Sequence, residues 1–245
     1  MMKAYIITMT DSFRSNEGNE RLRKSIDESK SVLDVHTSVA VVPETLVDTM
    51  ESYFGGRMEY TYPVTEDQNR HDIKSGLKLT AYPTQDIRKR ISCLMSHYVL
   101  WKHCVDLNEP IVILEHDAIW NHRKFDYKDI EERFKGSVLG LNSPHRATRK
   151  PQAFDDQLKS KWTESSVPEI MPCPWIDDQA VPQGLAGNSA YVIKPKGAKA
   201  LMALIAEHGL WPNDAIMCKQ LMPGQLQCVY PYYTYVRTMG STTSL

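Results

Sequence analysis

The chain has 245 residues, enough for one large domain with a substantial core or for two small ones. Its 42% hydrophobic and 24% charged residues are a soluble globular composition, and the formal net charge of −1 excludes a global field that would draw in nucleic acid, leaving only a local basic patch. Five cysteines with no CxxC pair, no apolar run near the roughly 20 residues needed to cross a bilayer, and no basic-then-apolar leader set the expectation of a reduced, cytoplasmic protein without a transmembrane segment.

Ala4 to Met9 reads as a first strand, followed by a polar turn of Thr10, Asp11 and Ser12. Asn19 to Leu33 reads as a charged helix with an apolar stripe at Leu22, Ile26 and Leu33. Ser38 to Val42 reads as a second buried strand, closed by Pro43. Phe54 to Pro83, with Gly55, Gly56 and Pro63 and few apolar periods, predicts a long loop of the kind that often carries function. Arg88 to Asp106 is the clearest helix, since Ile91, Leu94, Met95, Tyr98, Trp101 and Val105 recur at helical spacing. Thr84 is its expected N-cap, with Asp86 in the first turn.

After Asn108-Glu109-Pro110 comes the stretch that organises the chain, Ile111-Val112-Ile113-Leu114-Glu115-His116-Asp117-Ala118. Four aliphatic residues in a row predict a strand buried on both faces, as in the middle of a parallel sheet. Glu115 and Asp117 are two residues apart at its C-terminal end, and in extended chain that spacing points both carboxylates the same way. Ligands of open α/β sheets bind beyond that end of the strands. Two acids there repel unless a proton or a cation is shared, and a hard divalent cation held with substrate phosphates would serve. The residues alone leave two readings open, an acid-x-acid nucleotide site or a polar turn with both acids solvated.

Val138 to Leu141 reads as a short buried strand, and His145-Arg146-Ala147-Thr148-Arg149-Lys150 as the most basic loop. Gln152 to Asp178 is polar and reads as a long excursion. Asn188 to Ile193 returns to strand character, and Pro195-Lys196-Gly197 starts a helix with Ala198, Leu201, Met202 and Ile205 on one face. Trp211 to Asp214 is a turn in which Asn213 would cap a short helix, with Asp214 in its first turn. Val229 to Val236 is aromatic strand, and the terminal Gly-Ser-Thr-Thr-Ser segment is expected to be mobile. Strands alternating with helices predict an α/β sandwich on a mostly parallel sheet. The composition shifts after Ser143, but no linker separates two domains.

Several of these stretches together resemble the core signature of glycosyltransferase family 25, the lipopolysaccharide-type sugar transferases with relatives acting on collagen. They are Ser92-Cys93-Leu94-Met95-Ser96-His97, then Trp101, then Asn108-Glu109-Pro110, then the strand closing in Glu115-His116-Asp117-Ala118. Ala190-Tyr191-Val192-Ile193 followed by Lys196-Gly197-Ala198-Lys199-Ala200-Leu201 resembles a second block of that family, and Asp214 falls where it places an acid. The departures are His116 in place of a middle acid and Thr8 in place of Asn. Residues 44–83 and 144–182 match nothing in the pattern.

The resemblance implies a GT-A-like, Rossmann-like fold in one domain spanning 1–245, with 1–143 as the donor half and 144–245 as the acceptor half. It implies a nucleotide-sugar donor, usually UDP-linked, Mn²⁺ or Mg²⁺, and transfer to a hydroxyl with inversion. Asp117 is then the direct metal ligand, and Glu115 contacts ribose or metal-bound water. His116 points away and packs. Asp214 is the candidate base, held ionised by a helix dipole. Thr8, Arg14, Arg21, Ser96 and His97 are candidate donor contacts, and Cys93 with His97 is a bare two-ligand metal pattern. The acceptor implied is lipopolysaccharide or another glycan, with a modified nucleic-acid base favoured only by the basic loop. The alternative from another class is a non-catalytic nucleotide-sugar or partner-binding domain of the same fold.

Overall fold

The computed structural model describes residues 1–82, 84–145 and 150–237. Arg146, Arg149 and the terminal segment, on which expectations were placed, lie outside the described residues. In chain order the elements are β1 Met2–Thr8, α1 Phe13–Glu28, β2 Leu33–Val39, α2 Leu46–Phe54, a hairpin of β3 Arg70–His71 and β4 Lys78–Leu79, α3 Ile87–Leu107, β5 Ile111–Glu115, β6 Ala118–Trp120, β7 Val138–Gly140, α4 Pro151–Lys159, β8 Glu169–Pro172, β9 Ala190–Ile193, α5 Pro195–His208, α6 Asn213–Ile216, β10 Leu226–Tyr230 and β11 Thr234–Val236.

Among the described residues seven strands build the central sheet in the order β2-β1-β5-β9-β7-β10-β8. β2, β1, β5, β7 and β10 share one direction, while β9 runs against both its neighbours and β8 runs against β10. The expected α/β architecture is therefore present, with two reversed strands in an otherwise parallel sheet. β5 sits between β1 and β9, and its four aliphatic residues have no solvent exposure. Alternation divides them: Ile111 and Ile113 join the core that holds Trp101, Leu201 and Ile205 of α3 and α5, whereas Val112 and Leu114 join the core that holds Leu22 and Ile26 of α1. Helices thus cover both faces. The chain leaves β1 towards β2 on one side and returns to β5 on the other, which makes the β1–β5 junction a switch point that opens a crevice beyond the strand ends.

Several local expectations are corrected. The first helix is Phe13–Glu28, not Asn19 to Leu33. Ser12 caps it by accepting from the Ser15 backbone N–H, and Lys30 at φ 56° turns the chain so that Leu33 opens β2. The second strand is Leu33–Val39 rather than Ser38 to Val42. It is the sheet's outer strand and partly exposed, and residues 40–43 wall the crevice instead. Asp86, not Thr84, caps α3 by accepting from the Arg88 N–H. Pro212, not Asn213, precedes α6 at its cap position. The stretch 54–83 holds a 3₁₀ turn at Glu66–Gln68 and the β3–β4 hairpin, and the expected excursion 152–178 contains α4 and the edge strand β8. The aromatic run 229–236 is two strands, broken at the cis Tyr230–Pro231 bond.

Candidate active site

β5 ends at Glu115, and residues 116 and 117 turn the chain into β6. The extended geometry expected through Asp117 therefore stops two residues early, yet both acids line one cleft of about 430 Å³. Its other walls include Ile7 near the end of β1 and Met9 just beyond it, residues 40–43, and Ser92, Cys93, Ser96 and His97 of α3. Alternation sends Glu115 to the α3 face, where Oε1 lies 3.1 Å from His97 Nε2 and Oε2 accepts from Ser189 Oγ at 3.2 Å. The Trp101 indole N–H donates to the Tyr191 hydroxyl at 2.9 Å, and that hydroxyl lies 2.9 Å from His97 Nδ1. A charged Glu115 can only accept, so the neutral His97 ring carries its proton at Nε2 and donates to Oε1, which leaves Nδ1 to accept from the Tyr191 hydroxyl. His97 is thus a buried positioning residue for Glu115.

This arrangement splits the two acids. Burial works to raise Glu115, but the hydrogen bonds from His97 and Ser189 and the imidazole outweigh it, so its carboxyl lies below the ordinary value. Among the described residues Asp117 has no side-chain donor, only its own backbone N–H. Burial first, and the charge of Glu115 second, push it up to about 7. Its Oδ1 is buried with no hydrogen-bond partner among the described residues. His116 lines the same cleft and also meets α1: a Cβ on Gly18 would stand 2.3 Å from the His116 carbonyl oxygen and 3.3 Å from its ring, so only glycine lets α1 approach this turn. Burial lowers the His116 imidazole.

Asp214 stands across a smaller recess of about 170 Å³ that also touches Glu115, Cys93, Arg90, Asn188 and Asn213. Asp214 itself is exposed on the wall of this recess. Burial is the larger influence and raises its carboxyl, with the Glu115 charge adding and Arg90 opposing. The expected dipole-lowered carboxyl is corrected, because α6 is a single turn of four residues and has little dipole to offer. Beyond Asp214 lies a third cavity of about 380 Å³, walled by Tyr62, Tyr82, Phe154, Ile176 and the 181–187 segment. The three spaces share residues and form one groove, with Glu115 and Cys93 common to the first pair and Asp214 and Tyr82 to the second.

The candidate donor contacts fare differently. Ser96 lines the first cleft, but its hydroxyl already donates to the Ser92 carbonyl and accepts from the Val41 N–H, both at 2.9 Å, which fixes the 40–43 wall to α3. Thr8 is buried on the α1 face, accepting from Asn19 Nδ2 at 2.7 Å, because alternation along β1 gives the cleft to Ile7 and Met9. Arg14 is exposed and Arg21 pairs with Glu17 on α1, on the opposite face from α3, and neither lines the cleft.

Four residues were missed. β11 pairs antiparallel with β6, with Val236 opposite Ala118, and this register carries the Arg237 N–H to the Asp117 carbonyl at 3.0 Å. Arg237 lines the cleft, and its Nη1 is buried with no hydrogen-bond partner among the described residues. Asn188 (Nδ2 and Oδ1) and Asn213 (Nδ2) present further unpartnered buried atoms at the central recess. Buried polar atoms without partners are uncommon, and their gathering along one groove marks a surface shaped for a polar ligand. Arg90 lies over the Tyr82 ring, 3.6 Å from its centroid. Its spacing to Cys93 and His97, three and seven residues, was a readable signal in the sequence. Arg237 had none, since its place depends on a pairing more than a hundred residues away.

The sequence profile of glycosyltransferase family 25 (LPS biosynthesis protein) matches residues 1–217. The chain belongs to glycosyltransferase family 25. It is a glycosyltransferase, and its sheet shows the expected mixed α/β architecture, mostly parallel strands flanked by helices. Among solved structures it is similar to an active-site mutant of LgtC, at 8% identity and a TM-score of 0.38 over 93% of this chain and 72% of that one. It is also similar to the galactosyltransferase LgtC in complex with donor and acceptor sugar analogs, at 10% identity and a TM-score of 0.41 over 93% of this chain and 73% of that one. The curated proteins contain no match.

Proposed function

We propose that this family 25 chain is a metal-dependent, inverting transferase that moves a sugar from a UDP-linked donor to a hydroxyl of a glycan. One observation carries the reading: a single groove holds an acid pair with Arg237 at one end and Asp214 with an aromatic-walled cavity at the other. The residues fit a hard divalent cation, Mn²⁺ or Mg²⁺. Asp117 offers an unpartnered buried oxygen, and its carboxyl is raised towards neutrality by burial and the adjacent Glu115 charge, a conflict that a cation relieves. Asp117 would hold the ion, with Glu115 beside it, and when bound the ion would neutralise the diphosphate leaving group as a Lewis acid. Arg237 supplies a buried guanidinium donor for a phosphate oxygen.

Asp214 takes the proton of the acceptor hydroxyl as that oxygen attacks the anomeric carbon on the face opposite the diphosphate. Burial raises its carboxyl above the ordinary carboxylate value, which makes it a stronger base than a solvated one. The donor side is then the first half of the chain plus Arg237, and the acceptor side is the second half plus Tyr62 and Tyr82. Tyr62 and Tyr82 provide faces for a sugar ring. The setting we propose is cytoplasmic, where the five free cysteines stay reduced. A screen of sugar nucleotides for thermal stabilisation with and without Mn²⁺, followed by a transfer assay with the best donor, tests this reading. A donor that stabilises only with the cation supports it, and no stabilisation by any donor overturns it.

A further inference from the structure

Cys93 Sγ, His97 Nε2 and a Glu115 carboxylate oxygen lie within 4.8 Å of one another, at the junction of the first cleft and the central recess. Nothing in the proposed transfer uses the thiol. Cys93 is also the one partly accessible cysteine, since Cys104, Cys173, Cys218 and Cys228 are all buried. We propose that these three side chains form a second cation site, selective for Zn²⁺ or another thiolate-seeking transition metal, which shares Glu115 with the hard-cation site at Asp117 but differs from it in its thiolate and imidazole ligands.

Three features argue for a built site rather than a chance cluster. A thiolate, an imidazole and a carboxylate are a ligand set that favours Zn²⁺ and leaves a fourth position for water from the cleft. The outer partners are already in place, with Tyr191 against His97 Nδ1 and Ser189 against the second oxygen of Glu115. The helical spacing of Cys93 and His97, four residues on α3, fixes two ligands on a rigid element. Binding balances as follows. The ion takes the lone pair of Nε2 while the ring proton moves to Nδ1 and faces the Tyr191 oxygen, and the Cys93 thiol loses its proton to solvent. One proton leaves per ion bound, so affinity rises with pH. The ion would also draw Glu115 away from the donor, so Zn²⁺ is expected to inhibit transfer supported by Mn²⁺.

The test needs no donor and no turnover. The full chain is alkylated with iodoacetamide and the modified cysteines are mapped by mass spectrometry, alone and with Zn²⁺, Co²⁺, Mn²⁺ or Mg²⁺. Zn²⁺ and Co²⁺ are expected to protect Cys93 at one equivalent while Mn²⁺ and Mg²⁺ do not. Co²⁺ is expected to give a thiolate charge-transfer band that Cys93→Ser loses and Asp117→Ala keeps. No protection of Cys93 by Zn²⁺, equal protection by Mn²⁺, or a band that persists in Cys93→Ser would overturn the site. The transferase reading can fail while this result stands, because Asp117→Ala separates the two.

Discussion

His97 Nε2 lies 3.1 Å from Glu115 Oε1, and the same ring's Nδ1 lies 2.9 Å from the Tyr191 hydroxyl, which the Trp101 indole also meets. A histidine on a helix and an acid at a strand end are thereby locked by a tyrosine on the antiparallel neighbour strand. The arrangement favours the charged form of Glu115, and that charge together with burial pushes Asp117 up to about 7.

Tyr191→Phe keeps the ring and removes the hydroxyl. Two buried groups, the Trp101 N–H and His97 Nδ1, then lose their partner. The expected cost is about 1–3 kcal/mol of stability, read by urea unfolding. A rise in donor KM larger than the change in kcat is also expected, because the defect lies in how Glu115 is held.

The raised carboxyl of Asp117 makes a pH prediction of definite sign. Its ordinary value is 3.8 and its folded value about 7, so between these limits the folded protein binds more protons than the unfolded chain. Stability from this group is therefore full below about pH 4 and falls as pH rises towards 7. Thermal unfolding without divalent cation should show this decline. Asp117→Asn, or added Mn²⁺, should flatten it. A cation-free protein whose stability rises steadily across that range in both wild type and Asp117→Asn would contradict the assignment.

Asp214→Asn removes the proposed base and keeps the shape of the recess. A fall in kcat of about 10²- to 10⁴-fold is expected, with donor KM little changed. For the wild type the acidic limb of the kcat profile should lie above the ordinary carboxylate value, because burial raises this group. A kcat reduced less than tenfold would place the base elsewhere.

Gly184 lets the 181–187 wall meet α6: a Cβ there would stand 2.1 Å from the Met217 carbonyl oxygen and 3.4 Å from that of Asp214. Gly184→Ala must push two backbones apart. The expected result is a loss of about 1–3 kcal/mol in stability and a weaker acceptor KM, since the acceptor cavity is what deforms.

What could be read from the chain alone follows a physical divide. β5, α3 and the acid pair were legible because their signals are local: four aliphatic residues in succession, apolar spacing along a helix, and two carboxylates at a strand end. The α1 and β2 boundaries shifted because Ser12 and Lys30, single residues at caps and turns, outweighed a weak apolar stripe. Thr8, a candidate donor contact for its nearness to the ligand edge, faces α1 because strand phase decides orientation. Arg237 and the Tyr191–His97–Glu115 chain were invisible because they depend on long-range register. The α4–β8 segment lay hidden in a polar, proline-rich stretch whose strand completes only by pairing with β10.

The central claim is that Asp117 and Glu115 grip a cation and a diphosphate together, and UDP binding tests it most directly. Titration calorimetry of wild type and Asp117→Ala with UDP, each with and without Mn²⁺, isolates the claim from acceptor chemistry. Wild type is expected to bind UDP tightly only with Mn²⁺, and Asp117→Ala to lose at least tenfold in that cation-dependent affinity. Equal UDP affinity with and without Mn²⁺, unchanged in Asp117→Ala, would contradict it.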